Sequence, residues 1–237
     1  MRRSEQKEMM DLPGNPHRLL EEDLANLRAL NRYLGGYRSV LRGVERLVHD
    51  RSLSYFSLLD VGTGSGDIPA RLAEWARTRG LGAEFTALEG EPVSIAAAAT
   101  QTRHYPEIKL VRGDGLAPPF RAASFDFILA SQFLHHFSEA HIVTLLRTWS
   151  GIARRAIIVS DLVRHPLAYY GIHSLTRMFT RNVMTLTDAP LSVQRAFTMA
   201  EWRELFHRAD VGPVQLFSIF PFRVLALISL ERDHGQV

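Results

Sequence analysis

The stretch Leu58-Leu59-Asp60-Val61-Gly62-Thr63-Gly64-Ser65-Gly66-Asp67 decides the fold. Its first part is short and apolar, as a buried strand is. Three glycines then alternate with small polar residues, and Ile68 to Arg79 continues in a helical pattern. Pro69 in the first helical turn is harmless, because an N–H there would lack an intrahelical partner. A strand, a glycine turn and a helix start in this order aim backbone N–H groups and the positive end of a helix at one ligand. Glycine permits positive φ and lets the ligand approach the backbone closely.

Three details narrow that ligand. The spacing is G-x-G-x-G, whereas dinucleotide turns read G-x-G-x-x-G. Asp60 stands two residues before the first glycine, where a carboxylate repels a pyrophosphate but accepts a cation such as a sulfonium or an ammonium. No G-x-x-x-x-G-K-[ST] run exists, so a P-loop is excluded.

Outward from the turn, strands and helices alternate. The pattern predicts strands at 56–61, 84–88, 108–111, 125–130 and 156–160, with helices at 68–79, 93–104 and 139–152. Such spacing gives a parallel sheet with helices on both faces. Val214 to Phe220 and Arg223 to Leu230 read as an antiparallel hairpin at the sheet edge. Before the sheet, leucines 19, 20, 24, 27, 30 and 34 mark an amphipathic helix that Gly35-Gly36 breaks. Val40, Leu41, Val44, Leu47 and Val48 mark a second. The expected architecture is α/β: a Rossmann-like, doubly wound, mostly parallel seven-stranded sheet with an antiparallel C-terminal hairpin. An N-terminal helical cap spans 1–50, the main domain spans 51–237, and a helical lid is inserted at about 162–199.

Further acids fall at strand ends. Glu89 closes the second strand, where a carboxylate can accept from both ribose hydroxyls. Gly113-Asp114-Gly115 follows the third strand, and an Asp there can accept from an adenine amino group. Ser124 to Phe137 holds a buried strand ending at the same sheet edge. Each acid alone reads equally well as a helix cap or turn residue. Asp60, Glu89 and Asp114 all sit at carboxyl ends of successive strands, where open α/β sheets bind ligands.

From Leu58 to Phe137 the chain resembles the class I S-adenosylmethionine-dependent methyltransferases, most of all the small-molecule branch that includes quinone-biosynthesis enzymes. The resemblance implies that Asp60 and the loop residues Gly62, Thr63, Gly64 and Gly66 border the methionine part of the cofactor. Glu89, with Gly90 after it, would hold the ribose. Asp114, with the backbone of Gly115 or Leu116, would hold the adenine. Ala130 and Ser131 would offer carbonyls to the cofactor ammonium. The family more often has Asp than Glu at the ribose position.

Methyl transfer is an in-line displacement, so such an enzyme mainly orients nucleophile and methyl group. A histidine is suited to remove a proton from a phenol or enol at neutral pH. His135, His136, His165 and His173 are the candidates, with His135 and His136, directly after the fourth strand, the catalytic choice; packing or a surface position is the competing reading, and proximity without a dedicated base is the alternative mechanism. His141 lies five residues beyond His136, a poor spacing for a helical metal site, and no metal is expected.

The insertion supplies the candidate acceptor contacts Tyr169, Tyr170, His173 and Met178. Its apolar residues would otherwise form the inner face of helices. Segment 31–38 could close over the cofactor on its paired glycines. Asp161-Leu162-Val163-Arg164 and Asp188-Ala189-Pro190-Leu191-Ser192 resemble methyltransferases of polyketide or isoprenoid-type metabolism. The expected reaction is O-methylation of a small, rather apolar phenolic or enolic acceptor.

Composition is compatible. Of 237 residues, 46% are hydrophobic and 22% charged, which excludes a disordered or fibrous chain. No uncharged run reaches the roughly 18 residues of a membrane span. The charged start lacks a signal-peptide core, and with no cysteine a reducing cytosol fits. The net charge of +3 comes mostly from arginines interleaved with acids, so nucleic acid is not the expected partner. An RNA or protein methyltransferase is the alternative. The place after the fourth strand reads Ala130-Ser131-Gln132-Phe133, and the N/D-P-P-Y/F run of base-modifying enzymes is absent from it. A non-catalytic relative and a nucleotide-dependent oxidoreductase complete the alternatives. The acceptor atom and the oligomeric state are not legible.

Overall fold

The computed structural model describes residues 1–230; the end of the expected domain, 231–237, lies outside the described residues. Two helices come first, α1 (His17–Tyr33) and α2 (Gly36–Asp50). The chain then alternates through β1 (Tyr55–Val61), α3 (Asp67–Thr78), β2 (Gly82–Glu89), α4 (Pro92–Thr102) and β3 (Ile108–Arg112). It continues with β4 (Phe125–Ser131), α5 (Glu139–Ile152) and β5 (Ala153–Leu162). Helices α6 (Pro166–Phe179), α7 (Val183–Arg195) and α8 (Met199–Ala209) lead into β6 (Val214–Ile219) and β7 (Arg223–Ser229).

The strands form one sheet in the order β3-β2-β1-β4-β5-β7-β6. Strands β1 to β5 pair in parallel. Strand β7 runs antiparallel to both β5 and β6. The period of two along each strand sends residues to opposite faces. On β1, Phe56 and Leu58 join Val44 of α2 and Leu72 of α3 on one face. Leu59 and Val61 join Leu145 and Trp149 of α5 and Trp202 of α8 on the other. A sheet covered on both faces explains the continuous apolar runs of its inner strands.

Helix starts are set locally. The Glu91 carboxylate accepts from Ser94 N–H at 2.6 Å, with Pro92 opening α4. Ser138 caps α5 and Asn182 caps α7. Helix α8, which the apolar pattern did not mark, carries a capping box: Thr198 caps Glu201 N–H, and the Glu201 carboxylate accepts from Thr198 N–H at 2.7 Å. The T-x-x-E spacing was its available signal.

The order of strands reverses between β1 and β4. Their carboxyl ends therefore diverge into one crevice, the place where open α/β sheets hold ligands. Helices α1, α6 and α7 lie over this end, with α1 packed on α4 and α7, and α6 on α7.

Candidate functional site

The glycine turn leaves β1 in the shape the sequence implied. Gly62, Gly64 and Gly66 have φ of +69°, +57° and +74°. The Gly62 and Thr63 N–H groups both donate to Leu88 O, at 3.0 and 3.1 Å, which ties the turn to β2. The three glycines serve different neighbours. A Cβ on Gly62 would lie 2.3 Å from the Phe133 ring, and one on Gly66 would lie 2.9 Å from Thr102 and 3.1 Å from Ala98. Those two let protein approach protein. A Cβ on Gly64 would meet only Leu24 Cδ2, at 4.0 Å, so its open side faces the cleft.

Glu89 braces this turn. Its Oε2 accepts from Gly64 N–H at 2.8 Å, and its Oε1 accepts from Gly90 and Glu91 N–H at 2.9 Å each. Burial raises the carboxyl above its usual range, and the three N–H bonds oppose that rise. A carboxylate offers about four acceptor directions, so capacity remains for a hydroxyl. Glu89→Ala is expected to weaken cofactor binding by about 1.5–3 kcal/mol, the worth of hydrogen bonds to a charged group. Calorimetric titration with S-adenosylmethionine checks this; a wild-type Kd would remove Glu89 from the ribose.

Beside the turn lies a cavity of about 120 Å³ lined by Glu8, Asp23, Asp60, Asp67 and Asp188, together with Asn31, Ser131, Gln132 and the His pair. No lysine or arginine lines it among the described residues. Asp60 is fully buried and accepts from Thr63 Oγ1 at 2.6 Å; burial pushes it up to about 7. Asp23 accepts from Thr185 Oγ1 at 2.6 Å and is raised by burial to about 7. Asp188 takes the N–H groups of Met9 and Met10 at 2.8 and 2.9 Å and is raised by burial to about 6. Asp23 Oδ2 and Ser131 Oγ are buried without a partner among the described residues. Unpaired buried acceptors in an acidic hollow call for a donor-bearing cation. This chemistry fits the ammonium and sulfonium of S-adenosylmethionine and repels a pyrophosphate. Asp60 and Ser131 are where the motif implied; Glu8, Asp23 and Asp188 come from the cap and α7, and strand-end reasoning did not single them out.

The loop after β3 is more open. Asp114 and Leu116 are exposed, and Asp114 Oδ1 accepts from Leu116 N–H at 2.8 Å. Gly115 approaches Phe133, whose ring lies between the glycine turn and this loop. Ala130 is buried in β4, next to Ser131.

The two histidines part company. His135 is buried, its Nδ1 2.7 Å from Asp161 Oδ1 and its Nε2 3.5 Å from Glu8 Oε1. Burial alone would lower it, but the two carboxylates raise it to about 10. An imidazolium held this way is already protonated at neutral pH and cannot serve as a base there. His136 lines the cavity, with Nδ1 2.9 Å from Asp11 Oδ2. Glu8, His135 and His136 bring one ligand-type atom each within 4.8 Å of one another. Arg195 Nε stands 3.6 Å from Glu8 Oε1, so a cation already faces that carboxylate.

A second cavity, about 330 Å³, adjoins the first and shares Leu27, Gln132, Ala189 and Ser192 with it. Leu30 and Leu34 of α1 and Leu167, Ala168, Gly171, Ile172 and Leu175 of α6 make its walls apolar. The expected acceptor contacts Tyr169, Tyr170, His173 and Met178 lie elsewhere on α6, with Tyr169 and His173 half-buried. Tyr170 is 66% and Met178 84% exposed, and Tyr169 meets Tyr170 edge-on and stacks with His173. None of these four lines the cavity. The helical spacing 168, 171, 172, 175 marks the inward stripe; aromatic identity was the weaker guide.

With this geometry in place, comparison with known proteins is informative. Residues 58–155 match the family model described as a methyltransferase domain. No curated protein matches the chain. A SAM-dependent methyltransferase from Aquifex aeolicus superposes with a TM-score of 0.63 at 12% identity, covering 92% of this chain and 100% of that one. Human N-acetylserotonin methyltransferase in complex with SAM gives 0.64 at 18% identity, covering 97% and 64%. The CurJ carbon methyltransferase gives 0.65 at 11% identity, covering 90% and 59%. The chain thus spans under two thirds of the latter two proteins. Residues 58–155 thus form a methyltransferase domain, and the fold is that of S-adenosylmethionine-dependent methyltransferases. None of the helices among the described residues is long and apolar enough to cross a membrane.

Proposed function

We propose that the enzyme methylates an oxygen of a small, largely apolar phenolic or enolic metabolite. The supporting observation is that the apolar cavity adjoins the acidic hollow beside the glycine turn, with Gln132 lining both. When bound, S-adenosylmethionine supplies a methyl group already activated on a sulfonium. The chain's own residues then bind and orient. Asp60, Asp23 and Ser131 face the cationic portion, Glu89 the ribose, and Asp114 with Leu116 the adenine edge. Helices α1 and α6 enclose the acceptor and exclude water from it. His136 is the histidine left to take a proton, since His135 is held between carboxylates. Residues 1–50 act as cap and 162–199 as lid in this reading, and a cytoplasmic setting suits a chain without cysteine.

The motif likeness to quinone-biosynthesis enzymes favours a ring acceptor with an apolar tail. Human N-acetylserotonin methyltransferase, one of the structural neighbours, is named for a small acceptor, and CurJ for carbon methylation. Incubation with methyl-labelled cofactor and a panel of phenols, quinols, pyrones and their carbon-nucleophile analogues tests the proposal. Label on oxygen of a panel member supports it; label only on carbon, or on added RNA or protein, overturns it. Ile172→Trp, which fills the apolar cavity, is expected to raise the acceptor KM at least about tenfold, the worth of one lost side-chain pocket. Cofactor Kd should stay unchanged in the same variant.

A further inference from the structure

Arg223 is 2% exposed at the start of β7, yet its guanidinium is incompletely paired. Nε donates to Leu34 O at 2.7 Å. Nη2 reaches Gln132 Oε1 at 3.3 Å and Asn31 Oδ1 at 3.5 Å. Nη1 is buried with no partner among the described residues. The residue lines the apolar cavity together with Gln132, and Gln132 also lines the acidic hollow. Arg164 Nε and Arg195 Nε also lack a hydrogen-bond partner among the described residues, but Arg195 Nε faces Glu8 and neither residue lines the apolar cavity.

Leaving a charged N–H buried and unbonded is costly, and a fold that needed only the Leu34 contact would be served by one donor. Gln132 adds weight. It sits in the left-handed region at φ +52°, a strained position for a residue with a side chain, and donates to Asn31 Oδ1 while accepting from Arg223. The resulting chain Asn31–Gln132–Arg223 fixes the guanidinium plane. Burial pulls Arg223 down to about 10 and the Asp161 charge opposes this, so it remains a cation at neutral pH.

Resting on the methyltransferase reading, we propose that Arg223 Nη1 receives an acidic oxygen of the acceptor. The acceptor is then an apolar molecule bearing one ionised phenol, enol or carboxylic acid, held at the junction of the two cavities. Arginine suits this role because it stays charged in an apolar setting and offers fixed donor directions. A seat that favours the anion also lessens the need for a dedicated base, in keeping with the engaged state of His135.

Two matched pairs of probes test the seat: decanoate against decanol, and 4-nitrophenolate against 4-nitroanisole. Each is titrated by calorimetry into the full-length protein at a pH where both acids are ionised. The wild type should prefer the anion of at least one pair by about 10- to 100-fold, as a charge-assisted hydrogen bond allows. The pair that shows the preference tells a carboxylate from a phenolate. Arg223→Met should abolish the preference while still binding the neutral probe, and Arg223→Lys should restore part of it. Equal affinities within both pairs for the wild type overturn the proposal without any variant, as does a preference that survives in Arg223→Met. Titration of the same wild-type sample with S-adenosylmethionine separates the two readings. Absence of cofactor binding sinks the methyltransferase reading, whereas the anion preference reports on Arg223 alone.

Discussion

Asp161→Ala is expected to destabilise the protein by about 3–5 kcal/mol, the cost of removing one partner from a buried ion pair. Asp161 is fully buried at the end of β5. One carboxylate oxygen accepts from His135 Nδ1 and from Leu162 N–H, both at 2.7 Å. The other accepts from Leu134 N–H at 3.1 Å and His135 N–H at 3.3 Å. Alanine strands all of these donors and leaves His135 with Glu8 alone. At about 2–4 °C per kcal/mol for a chain this size, Tm should drop by roughly 6–20 °C. Asp161→Asn keeps one acceptor oxygen and should lose less. Asp161→Ala combined with His135→Leu should lose less than the sum of the two, because the stranded charge is gone. A Tm for Asp161→Ala within two degrees or so of wild type would show that the pair carries no such weight.

The same pair sets a pH dependence. His135 is raised from 6.5 to about 10. Its contribution is complete below 6.5 and is lost as pH rises through about 10. Burial raises Asp161, but His135 outweighs that and holds it below its ordinary range, so its contribution is present above that range and is lost in acid. Wild-type stability should therefore decline from neutral pH toward 10, and the double variant should show a flatter profile over this window. Chemical denaturation at several pH values measures the difference.

What the sequence disclosed and what it hid have physical causes. The sheet was legible because β1, β4 and β5 are buried on both faces, so Phe127–Ala130 and Ile157–Val159 are unbroken apolar runs and Leu58–Val61 is broken only by Asp60. The glycine turn was legible because three alternating positive-φ positions are free of strain only with glycine. The acids at strand ends were legible from position alone. The inward face of α6 was not. Its stripe is made of small and aliphatic residues, Ala168, Gly171, Ile172 and Leu175, while the larger Tyr170 and Met178 point to solvent. Size misled where periodicity would have served. Asp23 and Asp188 were hidden for a different reason. They reach the cleft only because α1 and α7 fold back over it, and nothing near them in sequence reports that distant packing. Arg223 belongs with them: in sequence it opens the second strand of the C-terminal hairpin, and its burial depends on the end of α1 covering the start of β7.

Gly64→Val should abolish measurable cofactor binding, at least about 100-fold in Kd, for a modest cost in stability. The expectation follows from how the three glycines divide their work. At Gly64 the protein itself leaves room, since a Cβ would meet only Leu24 Cδ2 at 4.0 Å. The stability cost is then the left-handed backbone at φ +57°, about 1–2 kcal/mol for a residue with a Cβ. The added methyls project into the side of the turn that has no protein atom against it, which is the side a ligand must use. The Gly64 N–H also donates to Glu89, so a shift of the turn to relieve strain would disturb the Glu89 carboxylate as well. Gly62→Ala and Gly66→Ala should behave in the opposite sense. There the new Cβ strikes Phe133 at 2.3 Å or Thr102 at 2.9 Å, and the neighbouring packing must move. Both should lose more stability than Gly64→Val, by overpacking at about 1–3 kcal/mol in addition to backbone strain. Thermal melts and calorimetry on the three variants decide the matter. If Gly64→Val binds S-adenosylmethionine like the wild type, the ligand does not pass along this turn, and the acidic hollow beside it holds something else.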